Sequence, residues 1–275
     1  MLKFAHIINP VNVSEISDLF LAQPVTFKTM QVAKEFSLPS CQVELFAAVF
    51  PEDRSIVPDS FTVTADLDRS VLDLGNFRVK RKLPVLRDIL DRLYEASNAD
   101  YFIYTNTDIG LQPYFYVLVN NIIQNGIDAF IINRRTIAKE PALIKDLPMI
   151  YSQAGQPHPG HDCFIFRREI YPEFILNDAC LGVMFIGKIL AWNLAAFSRN
   201  FFEFKDLHAS FHLGDDRIWS DERLDDYKKF NHFQAKKTLS ELIRKRPGVI
   251  EHLKKLNLLM PEQAFVEFIK SIKCW

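Results

Sequence analysis

Ala99-Asp100-Tyr101-Phe102-Ile103-Tyr104-Thr105-Asn106-Thr107-Asp108-Ile109-Gly110-Leu111-Gln112-Pro113 is the stretch whose reading decides the fold. An apolar, aromatic run from Tyr101 to Tyr104 predicts a buried strand, and Gly110 and Pro113 close the segment. Its end presents two short polar side chains, Asn106 and Asp108, at i and i+2. In an extended strand such positions share a face. At the carboxyl end of a strand in an open α/β sheet, where ligands gather, the pair would offer oxygen ligands to a hard divalent cation. An ordinary Asn/Asp turn after a strand fits the same residues, so the rest of the chain has to choose.

Working outward, Val85 to Ala96 places Val85, Leu86, Ile89, Leu90 and Leu93 on one stripe, an amphipathic helix with Pro84 in its first turn. A second helix is expected from Tyr114 to Gln124, ended by Asn125-Gly126, and a strand from Ala129 to Ile132. Upstream, Phe4 to Ile8, Val43 to Phe50 and Phe61 to Ala65 read as strands. Ser14 to Lys34 reads as two helical pieces separated by Pro24. Helices alternating with strands predict an α/β fold: a doubly wound, mostly parallel sheet with helices on both faces. Residues 134–156 show no period and predict a long loop. His158-Pro159-Gly160-His161-Asp162 then leads into a short strand, Cys163 to Phe166. Leu181 to Arg199 predicts an apolar helix, and Phe201 to Phe211 an alternating strand. From Asp221 amphipathic helices follow, with breaks at Pro247-Gly248 and Pro261. The expected division is therefore a main domain over 1–220 and a helical C-terminal appendage over 221–275.

Composition narrows the function classes. The chain has 275 residues, of which 48% are hydrophobic and 24% charged, in the ordinary range for a globular protein. Its formal net charge of −1 argues against a nucleic-acid partner. Cys41, Cys163, Cys180 and Cys274 form no C-x-x-C pair and are expected to be reduced thiols in a cytoplasmic setting. No apolar window reaches the roughly 18 residues of a membrane span. Leu181 to Phe197 comes nearest but is interrupted by Lys188 and Asn193. The first ten residues read as a strand and not a signal peptide, so the sequon Asn12-Val13-Ser14 carries little weight. Peripheral contact of the C-terminal helices with a membrane or partner stays open. G-x-S-x-G, the Walker P-loop and G-x-G-x-x-G are all missing, which removes the commonest α/β rivals.

A doubly wound N-terminal half, a D-x-D-like element at Asn106/Asp108 and a late histidine together resemble the GT-A class of nucleotide-sugar glycosyltransferases, over about residues 1–220. The resemblance implies transfer of a sugar from a nucleotide-diphosphate donor to a glycan or other hydroxyl acceptor, with Mn²⁺ or Mg²⁺ bridging the diphosphate. It implies Asp108 and Asn106 as metal ligands. Since Asn106 stands where the class has an acid, Asp108 is the only strong anion of the pair. A late histidine would complete the metal site. His212, beside Gly214-Asp215-Asp216, is favoured, and His208 is the second candidate because a helix would put the two on one face.

Asn9, Pro10 and Val11 at the end of the first strand would line the nucleoside pocket, with Glu52 and Asp53 on the same edge. Arg81 and Lys82 are candidates for the diphosphate, which Arg forks and Lys charges bind. Inverting transfer needs a base for the acceptor hydroxyl. Asp162 is the first choice and Asp178 the second. Asp66-Leu67-Asp68 is a rival D-x-D without the strand-turn-helix context of Asp108. A nucleotidyltransferase of similar fold, or a degenerate, non-catalytic nucleotide-sugar-binding protein, are the alternatives.

Overall fold

The computed structural model describes residues 1–140, 142–215 and 221–259. The chain divides into two compact units, each discontinuous in sequence. One comprises 1–68, 89–169 and 199–216; the other comprises 69–88, 170–198 and 217–275. The division does not follow position 220: helices after 221 share their unit with two earlier segments.

The first unit holds the whole sheet. Its strands are β1 (Lys3–Ile8), β2 (Gln42–Ala47), β3 (Thr62–Val63), β4 (Tyr101–Thr105), β5 (Ile109–Leu111), β6 (Ala129–Ile137), β7 (Gln156–Arg167), β8 (Phe201–Phe204) and β9 (Ser210–Leu213). Their order is β3-β2-β1-β4-β7-β6-β9-β5, with β8 paired to β6. Five of the eight pairings are parallel, so the sheet is mostly parallel as expected. β7 runs antiparallel between β4 and β6, and β5 antiparallel to β9.

Helices cover both faces. On one side Phe27 and Met30 of α1 (Asp18–Phe36) and Phe115 and Val119 of α3 (Phe115–Gln124) share a core with Tyr101 and Ile103. On the other, Tyr94 of α2 (Leu86–Ala96) meets Phe102 edge-on, with ring centroids 6.3 Å apart. Strand residues alternate faces, so Phe102 points away from Ile103.

Four local expectations change. Pro24 does not divide α1; it sits inside one continuous helix. A missing N–H and ring clash cost about 3 kcal/mol, and burial of Val25, Phe27, Met30 and Ala33 along that helix offsets it. Residues 134–156 are largely ordered: β6 runs on to Ile137, and α4 (Leu147–Ser152) packs Leu147 and Ile150 against Ile137, Phe211 and Leu213. The partners are distant in sequence, so no local period announced them. Last, 158–162 lie within β7, and Phe201 to Phe211 is two strands.

The second unit is helical, with α5 (Ile186–Phe197), α6 (Asp225–Lys245) and α7 (Val249–Lys255). Val71, Phe77, Cys180, Val183, Leu224 and Tyr227 form a core within it. No described helix is long and apolar enough to cross a membrane. Asp216, Pro261 and Cys274 lie outside the described residues.

Candidate active site

β1, β2 and β4 are parallel, so their carboxyl ends fall on one edge of the sheet. The loop after β1 is tied down at that edge. Asn9 Nδ2 donates to the Ala48 carbonyl at 2.6 Å, and Gln23 of α1 bonds both the N–H and the carbonyl of Val11. Pro10 is buried. Buried Asp53 accepts the Asn12 N–H at 2.8 Å. Asn9, Pro10, Val11 and Asp53 thus belong to one braced corner.

At the end of β4 the strand stops at Thr105, and 106–108 form a turn into β5. Asn106 and Asp108 therefore do not project as a strand pair. Asn106 accepts from the Tyr104 hydroxyl and donates to Asp162 Oδ1, each at 3.1 Å. Asp108 turns instead to His212, whose strand β9 pairs Ile109 with His212. His212 Nε2 lies 3.2 Å from Asp108 Oδ2, and Nδ1 lies 2.8 Å from the Gly214 carbonyl. Both partners are acceptors, so the ring that satisfies both is the doubly protonated imidazolium. The charges around the pair favour the same state. Burial pulls His212 down, but the bond and charge of Asp108 raise it above the ordinary histidine value. Burial pushes Asp108 up, and His212 with Arg134 holds it below the usual carboxylate range.

Asp108 Oδ1 is buried with no hydrogen-bond partner. A buried carboxylate oxygen without a donor is costly, and a bare cation would relieve it. Asp108 and His212 stand side by side, with His212 Nε2 3.2 Å from Asp108 Oδ2, and these two side chains would be the ones to hold it. The Gly214 carbonyl fixes Nδ1–H and leaves Nε2 as the ligand nitrogen once the proton departs. Among the described residues no group of three or more His, Cys, Asp or Glu converges as a metal cage. Asp108 and His212 would supply one carboxylate and one imidazole to a divalent ion.

Asp162 is not a free carboxylate. Arg134 Nη1 donates to its Oδ2 at 2.6 Å, and Asn106 occupies Oδ1. Both side chains of the ion pair are nearly buried, at 12% and 10% exposure. Asp162 is thereby committed to holding Arg134.

The other expected site residues hold other partners. His208 precedes β9 at the end opposite His212 and is bonded to Gln112 at 2.9 Å. Because 210–213 are strand and not helix, the two histidines share no helical face. Arg81, Lys82 and Asp178 belong to the second unit. There the Arg81 N–H donates to the Tyr227 hydroxyl at 2.8 Å, and Asp178 pairs with Arg69 at 3.2 Å. The rival acids Asp66 and Asp68 are paired with Arg54 and Arg92, each at 2.6 Å. Sequence reasoning missed Arg134 and His158. The signal for His158 was the alternation His158, Gly160, Asp162, legible only once 158–162 are read as strand.

No family model and no curated protein matches the chain. Solved structures to which the chain is similar include S. aureus TarS 1-349 in complex with UDP-GlcNAc, at 7% identity and a TM-score of 0.48 over 90% of this chain and 75% of that one. M. tuberculosis glucosyl-3-phosphoglycerate synthase in complex with Mn²⁺, UDP and phosphoglyceric acid matches at 13% identity and a TM-score of 0.44, over 88% of this chain and 78% of that one.

Proposed function

We propose that this chain transfers a sugar from a nucleotide-diphosphate donor to a hydroxyl acceptor, with Mn²⁺ or Mg²⁺ held by Asp108 and His212. The observation that carries the reading is the Asp108–His212 pair at the carboxyl edge of the sheet, with Asp108 Oδ1 buried and unpartnered. When bound, the metal neutralises charge growing on the leaving diphosphate. The braced Asn9-Pro10-Val11 corner receives the nucleoside, as strand-end loops in open sheets do. Asn106 ties the metal-binding turn to Asp162, and Asp162 orients Arg134 toward the same turn. In the transfer, the bond between sugar C1 and the diphosphate oxygen breaks and its electron pair stays with the diphosphate. The acceptor oxygen bonds to C1, and its proton passes to solvent.

A non-catalytic nucleotide-sugar binder is the second reading. It is favoured by the neutral Asn106 and by the lack of a third protein ligand among the described residues. Calorimetry of UDP and GDP with and without Mn²⁺, together with nucleotide release from UDP- and GDP-sugars, separates the two. We expect Mn²⁺-dependent nucleotide binding in the wild type, at least tenfold weaker in Asp108→Ala and unchanged in His208→Ala. Binding indifferent to both Mn²⁺ and Asp108 would sink the metal site, and binding without nucleotide release would favour the binder.

A further inference from the structure

Tyr101 pairs with Phe4 of β1 and with Arg167 of β7, at the edge of the sheet where β1 and β4 begin and the antiparallel β7 ends. At about 3.3 Å per strand residue, that edge lies roughly 16 Å from Asn106. A cleft of about 380 Å³ opens there within the first unit, lined by Leu2, Asn98, Asp100, Tyr101, Ile123 and Arg167. Tyr101 is 2% exposed, and its hydroxyl is buried with no hydrogen-bond partner among the described residues. Burial pushes that hydroxyl above the ordinary tyrosine value, against the charge of Arg167 beside it, so it keeps its proton. A phenylalanine would fill the same space with no polar group to satisfy.

Arg167 lies over the Tyr101 ring, its Cζ 5.5 Å from the centroid. Its Nε is likewise buried without a hydrogen-bond partner. Asp128 Oδ2, 3.8 Å from Nε, and Glu169 Oε1, 3.6 Å from Nη1, attract the guanidinium but stand beyond hydrogen-bond reach. The other cation of the cleft is committed: Arg168 donates to the Ser97 and Tyr94 carbonyls at 2.9 and 3.2 Å. Tyr101 and Arg167 therefore offer two donors that ask for an acceptor oxygen. A phosphate or carboxylate would meet three acids, Asp100, Asp128 and Glu169, and a cation would meet two guanidiniums. A neutral hydroxyl suits both signs, accepting from the tyrosine or the arginine and giving its own proton to a carboxylate. Leu2 and Ile123 add an apolar wall for a carbon frame. Several hydroxyls on such a frame, in a cleft of small-ligand size, describe a saccharide.

We propose that this cleft binds a neutral saccharide, with the Tyr101 hydroxyl and Arg167 as its donors. The Arg167 side chain, 43% exposed, swings off the ring as the ligand enters and uncovers the hydroxyl. The site stands on the chemistry of the cleft and not on the transfer reading above. Saturation-transfer NMR on the full chain would titrate glucose, mannose, N-acetylglucosamine, maltose and cellobiose, with inorganic phosphate and acetate as the anionic arm. Wild type, Tyr101→Phe and Arg167→Gln would be compared with Tyr151→Phe, which removes another buried, unpartnered hydroxyl outside the cleft. The expected result is that the wild type binds at least one of the saccharides. Tyr101→Phe and Arg167→Gln each bind it about tenfold more weakly, as for loss of one hydrogen bond, and Tyr151→Phe binds it as the wild type does. Without ligand, Tyr101→Phe melts at or above the wild-type temperature, and Mn²⁺-dependent nucleotide binding is the same in both cleft variants as in the wild type. No binding of any saccharide, or saccharide binding unchanged in Tyr101→Phe, overturns the proposal. So does phosphate or acetate binding that Tyr101→Phe abolishes, which would make the cleft an anion site. A lower melting temperature in Tyr101→Phe would show that the hydroxyl serves the fold, and also overturns it.

Discussion

His6 shows how much a single buried residue can report. It lies fully buried in β1, with Nδ1 2.8 Å from the Tyr116 hydroxyl and Nε2 2.9 Å from Thr105 Oγ1. Burial lowers its pKa to about 3 from an unperturbed 6.5. Between those values the unfolded chain takes a proton that the folded chain refuses. Stability is therefore complete above pH 6.5 and falls as the pH drops, by up to about 1.4 kcal/mol per pH unit. Urea denaturation from pH 7 to pH 4.5 should show that slope, and His6→Gln should flatten it; equal slopes in both proteins would remove His6 as the cause. His212 works in the opposite sense, since its raised pKa gives stability that is lost as the pH rises through it. At this scale the sequence announced Asp108 as a strand-end acid, yet it could not announce the partner. His212 is 104 positions away, and only β5–β9 pairing brings it near.

At the scale of the element, the hairpin-like meeting of β5 and β9 holds the candidate metal pair together, and Gly110 makes it possible. Gly110 pairs with Phe211, and a Cβ on Gly110 would stand 2.4 Å from two ring carbons of that buried side chain. Gly110→Ala should cost about 1–3 kcal/mol of overpacking and weaken Mn²⁺-dependent nucleotide binding as β5 moves from β9. Phe211→Leu in the same chain should recover part of both losses. A Gly110→Ala protein with the wild-type urea midpoint would show that the contact relaxes without consequence. Strand β7 teaches the complementary lesson about legibility. Its apolar half, Cys163 to Phe166, was plain from composition, whereas Gln156 to Asp162 carry two prolines, a glycine and two histidines. Their strand conformation comes from pairing with Asn133, Arg135 and Thr136 of β6, across register shifts that no local pattern encodes.

For the whole molecule, the second unit makes the C-terminal helices more than an appendage. Asn231 of α6 donates to the carbonyls of Cys180 at 2.8 Å and Met184 at 3.0 Å. The Tyr227 hydroxyl donates to the Val79 carbonyl at 2.6 Å, and its ring stacks on Phe77 at 4.1 Å. A chain ended after residue 220 would strip the cover from Val71, Phe77, Cys180 and Val183. Exposed apolar patches of that kind promote association. The shortened chain should aggregate, or melt without a cooperative transition in calorimetry; a soluble monomer with a sharp transition would show that 1–220 folds alone.

The amino-acid sequence by itself determined the α/β class, the strand from Tyr101, the helices on either side of it and Asp108 at a strand end. Those features are local: hydrophobic periods and turn residues act over a few positions. Only the tertiary structure decided that Asn106 and Asp108 part company, one to Asp162 and the other to His212. It likewise decided that Arg134 and His158 stand beside them, and that His208 does not. Sheet order and register settle those meetings, and they depend on burial summed over segments a hundred residues apart.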